Sequence, residues 1–116
     1  MAATKSGASV IASTASTTTS SAIDVSTVYA AEAYIDMVVV GTATTGATVQ
    51  IQVSPDGGTT YYSPASLLWT SPLAAGTYDT VISLPVTADH FKAVFTQQSG
   101  GTSSTVVVQV GKVTGI

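Results

Sequence analysis

One stretch of the sequence, residues 48–62, constrains the fold more than any other. Its first part alternates strictly between polar and apolar residues, so that the apolar side chains of Val49–Val53 lie on one face of an extended chain. Pro55–Gly58 follows, and these residue types favour a tight turn because proline restricts φ and glycine accepts positive φ. A second run of β-formers, Thr59–Tyr62, comes next. The sequence therefore predicts a β-hairpin whose turn lies at 56–59, with at least one of the two glycines at positive φ.

The same period of two recurs along the chain. No segment shows a 3.6-residue apolar period with caps, so we expect no helix of any length. Met37–Val40 is apolar at four consecutive positions, which is typical of a central strand. Several short strands separated by Gly, Pro, Ser and Thr predict an antiparallel two-sheet β-sandwich over residues 21–116, immunoglobulin-like or jelly-roll-like, rather than a closed barrel. The further predicted strands are Ala22–Ser26, Glu32–Thr42, Thr77–Leu84, His90–Thr96 and Thr105–Val113.

Residues 1–20 form a separate polar segment of Ala, Ser, Thr and Gly, in which Val10 and Ile11 are the large branched apolar side chains. Their burial contributes only about 3 to 6 kcal/mol, less than the entropy lost on ordering some twenty residues. We therefore expect an extended arm or edge strand that is stabilised by pairing with a sheet edge. That edge belongs either to the same subunit or to a neighbour. Pairing with a neighbouring subunit or a partner is favoured, which makes Val10 and Ile11 candidate interface residues.

The composition indicates a protein that works in an assembly. Only 8% of the residues are charged, against about 25% in an ordinary globular domain, while 20 Thr and 15 Ser supply the polar surface. A surface with so little charge gives weak protection against association, so we expect homo-oligomers, with a trimer among the options. Three Lys and no Arg leave little for nucleic acid to bind, and no apolar run approaches the roughly 20 residues of a membrane span.

No pattern of catalytic or metal-ligating residues emerges. His90 is the single histidine, and strand alternation is expected to point its neighbour Asp89 to the opposite face. Asp56-Gly57-Gly58 lacks the further acidic or amide residues of a calcium loop. We therefore expect a protein without enzymatic activity, cofactor or metal.

Leu67, Leu68 and Trp69 carry more apolar surface than the local pattern needs, between two prolines that disfavour a regular central strand. They either cap the core of their own sandwich or anchor an interface. We expect the interface role, because Trp is the residue type most enriched at binding hot spots.

The chain resembles small β-sandwich virion proteins of tailed bacteriophages. The resemblance is most specific at Ser54–Tyr61, which reads Ser-x-Asp-Gly-Gly-Thr-Thr-aromatic, and it extends to the strand Phe91–Thr96 and the closing Val-rich strand. It implies a structural role at the capsid surface, as a cement or decoration protein that binds the major capsid protein or another virion protein. A neck or tail component is the next choice.

Two other classes compete with this interpretation. One is a carbohydrate-binding module in which Trp69, Tyr61 and Tyr62 form a stacking platform, although adjacent strand residues such as the two tyrosines should point apart. The other is a bacterial surface-layer or adhesin domain, since one repeat of such an array has the same pattern.

Overall fold

The structure, a computed structural model, describes residues 4–101 and 103–114. Residues 1–3 of the predicted arm, and residues 102, 115 and 116 of the predicted sandwich, lie outside this description. The described residues form nine strands: β1 (Thr4–Thr14), β2 (Thr18–Thr19), β3 (Ile23–Asp24), β4 (Ala30–Val39), β5 (Thr48–Ser54), β6 (Leu68–Thr70), β7 (Gly76–Ser83), β8 (His90–Thr96) and β9 (Ser104–Thr114). The helical content of the described residues is one 3₁₀ turn, Ala65–Leu67. The described part of the chain holds no helix long and apolar enough to cross a membrane.

The strands form two sheets that pack as a sandwich. One sheet has the order β1-β9-β4-β7, and the other has the order β2-β8-β5-β6 with β3 also pairing with β8. All of these pairings are antiparallel. The predicted fold class is therefore confirmed. The last strand in the sequence, β9, lies inside its sheet between β1 and β4.

The core lies between the two sheets and follows from the period of two. Along β4, alternate residues from Ala31 to Val39 are buried and those between them are exposed. Large and small side chains interdigitate, as in β8, where Phe91 and Phe95 flank Ala93. The other fully or almost fully buried core positions include Ile35, Met37, Val49, Ile51, Val106, Val108 and Val110.

The Asp-Gly-Gly turn is present, but the strand predicted after it is not. Gly57 and Gly58 have φ of 77° and 86°, which confirms the positive-φ prediction. Beyond the turn, the chain returns to β5 through a single bridge, Tyr62 to Val53, and pairs regularly only at the three-residue β6. Thr59 and Thr60 belong to the turn, where the Thr60 N–H donates to Asp56. Between Tyr62 and β6, Pro64 interrupts the pairing, because proline lacks the N–H that a ladder needs and restricts the residue before it.

The N-terminal segment belongs to its own subunit. Of the two predicted forms, an extended arm or an edge strand, the segment adopts the second. This edge strand, β1, pairs with β9 of the same chain from Thr4↔Thr114 to Thr14↔Val106. Ile11 is 4% exposed and packs in the core. The expectation that the segment pairs with a neighbour is therefore wrong for β1. A long ladder of backbone hydrogen bonds within the subunit offsets the entropy lost on ordering the segment, and the low apolar content of the segment gave no sign of this ladder.

Candidate interaction surfaces

The structure separates the three residues of the segment Leu67–Trp69. Leu67 is buried in the core. Trp69 lies opposite the fully buried Val49 and packs, partly buried, against the core. Leu68 lies opposite Gln50 on the other face and remains 44% exposed. Leu68 is thus the member of the segment with surface to offer a partner, and the interface role of the segment stays a prediction.

The two apolar residues of the N-terminal segment also face inwards. Ile11 is part of the core, and Val10 is half-buried and packs against it. Both side chains therefore pack inside the subunit, and the interface role of Val10 and Ile11 stays a prediction.

A larger apolar surface lies on the side of the four-stranded sheet that faces away from the core, here called the outer face. Tyr34 and Val38 project from β4 onto this face, with 47% and 38% of their surface exposed. Val81 of β7, which lies opposite Tyr34, adds a third apolar side chain, 48% exposed. Isolated exposed apolar residues are ordinary, whereas a group on one sheet face marks a contact surface.

This exposed apolar face was not predicted from the sequence, although the apolar run Met37–Val40 indicates it. The four apolar residues of Met37–Val40 correctly indicated a central strand, since β4 pairs on both sides. Central pairing does not require cover on both faces, because an antiparallel sheet can pack one face on the core and leave the other open. In β4 the odd-numbered residues fill the core and the even-numbered ones lie on the outer face.

Two carboxylates lie at the middle of the outer face. Asp36 of β4 and Asp79 of β7 are directly opposite each other in the strand register. The hydrogen bond between the two carboxyls raises the pKa of Asp36, and desolvation and the negative charge of Asp79 raise it further. The face therefore carries a local negative charge among apolar side chains.

At one end of the outer face, the sheet forms an open groove of about 800 Å³. Tyr34 lies over its floor, close to Gly111, where an added Cβ would be 2.8 Å from the ring atom Cε1. Glycine at position 111 is therefore needed for the ring to lie against the backbone. Lys5, Glu32 and Gln109 line the same groove.

The Asp-Gly-Gly turn is held to the start of β8 by hydrogen bonds. The Gly57 N–H donates to both carboxylate oxygens of Asp89, at 3.1 and 2.9 Å. Asp56 accepts from the Thr60 N–H at 2.9 Å and from the Ser54 hydroxyl at 2.7 Å, and these bonds, the first above all, lower the pKa of Asp56.

The expectation that Asp89 and His90 point apart is wrong. Their side chains are 2.9 Å apart, between Oδ1 and Nδ1, because β8 begins at His90 and strand alternation does not govern the residue before it. The other ring nitrogen, Nε2, lies 4.0 Å from Oδ2 of Asp24. The ring thus lies between two carboxylates, and its contacts connect β3 to the Asp-Gly-Gly turn.

Within residues 4–101 and 103–114, no group of three or more His, Asp or Glu side chains is placed to hold a metal ion.

Comparison with known proteins supports the architecture. The crystal structure of the SPBc2 prophage-derived protein YomS is similar, with a TM-score of 0.53 over 98% of this chain and 96% of that chain. The two sequences are 16% identical, so the similarity concerns the fold alone. No protein-family model matches the chain. No curated protein sequence matches it either.

Proposed function

We propose that the chain is a non-enzymatic structural protein of a tailed-phage virion, and that it binds the capsid surface as a cement or decoration protein. The observation that carries this proposal is the outer face of the four-stranded sheet. Tyr34, Val38 and Val81 are apolar side chains on this face without cover from the described part of the subunit. A partner that covers this face gains the free energy of apolar burial, about 25 cal/mol per Å² before the costs of association.

The charge on this face indicates the chemistry of the partner. Asp36 and Asp79 repel each other when both are ionised, and a Lys or Arg placed between them relieves that repulsion. The chain itself has only three Lys and no Arg. A heterologous protein surface that combines apolar side chains with a basic group fits the outer face better than a second outer face does.

Two further observations support a virion protein in particular. YomS, whose fold the chain shares, derives from a prophage. The chain also resembles phage virion sandwiches at Ser54–Tyr61, where the turn is pinned to β8 by Gly57 and Asp89. A neck or tail position accounts for these observations equally. The number of copies in each particle distinguishes that position from a position on the shell.

The carbohydrate-binding alternative has less support from its three aromatic residues. Trp69 packs against the core. The Lys92 ammonium lies 4.3 Å from the centroid of the Tyr61 ring and occupies one face of that ring. Tyr62 is the one exposed ring of the three, and a stacking platform needs several open ring faces.

The test is to purify particles from the phage or lysogen that carries this sequence and to count copies of the protein in each particle. A cement protein is expected in shell-lattice numbers and visible on the capsid by electron microscopy. Copies confined to the neck or tail would move the proposal to that position, and particles without the protein would overturn it.

A matched pair of variants tests the surface. Val38→Thr keeps the β-branched shape on the outer face but adds a hydroxyl, and should reduce the number of bound copies. Val86→Thr makes the same change at an apolar residue of the β7–β8 connection that is 82% exposed, and should leave it unchanged. Equal occupancy for both proteins would exclude the outer face as the contact.

A further inference from the structure

The two sheets have four edges, and three of them are protected against pairing with another chain. β2 and β3 are two residues long, and β6 is three residues long between Pro64 and Pro72. β1 is longer, but its register with β9 shifts twice, and it carries Lys5. Short strands, prolines, irregular register and lysines are the usual devices that prevent edge-to-edge association.

The fourth edge, β7, is neither short nor irregular, and its one charged side chain is Asp79, which lies on the outer face opposite Asp36. It is eight residues long, pairs with β4 without a register shift from Glu32↔Ser83 to Val39↔Gly76, and contains neither proline nor lysine. In the described part of the chain, β4 is its one paired neighbour. Its other side therefore presents a regular row of backbone donors and acceptors.

The hydrogen-bond pattern shows which residues form that row. The Leu84 N–H donates to the Ala31 carbonyl at 3.1 Å, so this opposed pair is hydrogen-bonded. Hydrogen-bonded pairs alternate in an antiparallel ladder. Tyr78, Thr80 and Ile82 therefore direct their backbone groups to β4, and the row on the free side comes from Thr77, Asp79, Val81 and Ser83.

We propose that β7 pairs antiparallel with β7 of a second copy of the chain, about a two-fold axis at Thr80, to join two four-stranded sheets into one. In this register the residues whose backbone groups face the free edge pair as Asp79 with Val81 and Thr77 with Ser83. The pairs between them are Tyr78 with Ile82 and Thr80 with its own copy. A two-fold axis at Asp79 places two carboxylates opposite each other, and one at Val81 places Thr77 opposite Pro85. The register at Thr80 avoids both faults and uses the whole strand.

This pairing goes beyond the proposed virion role and is tested without particles. Sedimentation of the purified protein across a roughly hundredfold range of concentration should show a monomer–dimer equilibrium. Val81→Pro should shift it to monomer while leaving the fold intact, because the Val81 N–H faces the free edge and makes no bond to β4. A wild-type protein that stays monomeric throughout would overturn the proposal.

Cysteine cross-linking tests the register and does not depend on the proline variant folding. The two Thr80 residues form a non-hydrogen-bonded pair, whose Cα atoms are about 4.5 Å apart, within disulfide range. With diamide as oxidant, Thr80→Cys should give a covalent dimer, since the chain has no other cysteine. Thr77→Cys is the matched control, because the two Thr77 residues are six positions out of register and about 20 Å apart. Dimers that cross-link through Thr77→Cys, or through neither variant, would show a different interface.

Discussion

Asp36 is a residue at which ionisation opposes folding. Its folded-state pKa lies above the ordinary value of 3.8, chiefly because its protonated form hydrogen-bonds to Asp79. The native state therefore binds this proton more tightly than the unfolded chain, and the stability from this group falls as pH rises from 3.8 through the folded pKa. We predict that Asp36→Asn is more stable than wild type near about pH 7, and that the difference shrinks below about pH 4. Urea unfolding midpoints at the two pH values measure this.

Asp24→Asn provides the control of opposite sign. The Ser26 hydroxyl, and then the Ser26 N–H, donate to Asp24 and lower its pKa below 3.8. Asp24 thus stabilises the fold above pH 3.8, and that contribution is lost as pH falls through its folded pKa. Asp24→Asn should lower the unfolding midpoint at neutral pH. If Asp36→Asn lowered it as well, the Asp36–Asp79 pair would not be repulsive.

Gly57 tests the backbone of the Asp-Gly-Gly turn without a steric complication. Its φ is 77°, and an added Cβ would meet no atom within 4 Å. Gly57→Val should therefore destabilise the protein by about 1 kcal/mol or more through backbone strain alone. Gly57→Asn should cost less, because asparagine tolerates the left-handed region. Equal stability of the valine variant and wild type in urea unfolding would contradict the turn conformation.

Among the strands, β6 directs its adjacent residues Trp69 and Leu68 to opposite faces of the sheet. Trp69 faces the core, so Trp69→Ala should lower the free energy of unfolding by about 2 kcal/mol or more. Leu68 faces outwards, so Leu68→Ser should change it by less than about 0.5 kcal/mol. Denaturant unfolding of the monomer compares the two variants. A Trp69→Ala protein of unchanged stability that fails to load onto particles would instead establish Trp69 as an interface anchor.

In the whole molecule, the position of a strand within its sheet determines how much stability is lost when the terminus that contains it is removed. Removing residues 104–116 deletes β9 from between β1 and β4, so we expect a chain without cooperative unfolding or a β-type far-UV spectrum. Removing residues 1–14 deletes an edge strand and the buried Ile11, so we expect a folded protein that is less stable by at least about 2 kcal/mol. Unchanged stability after the N-terminal truncation would show that β1 does not pair within its own subunit.

In β4 and β8, the alternation in the sequence was enough to predict which side chains face the core. Phe91, Ala93 and Phe95 alternate with polar or exposed positions, and adjacent residues of any extended chain point to opposite faces, so this pattern needs no tertiary information. The positive φ at Gly57 and Gly58 was also predictable from the local sequence, because it follows from the residue types that a tight turn accepts.

Which strands pair and which sheet faces stay uncovered depends on contacts between distant parts of the chain, and the local pattern of residues does not contain them. β1 pairs with β9 across almost the whole length of the chain, through backbone groups that every residue shares and that leave no side-chain signature in a Ser/Thr-rich segment. Asp89 reaches His90 because β8 begins between them, a boundary that alternation does not mark. Tyr34 and Val38 remain exposed because the second sheet covers one face of β4, and cover on the other face depends on what packs there.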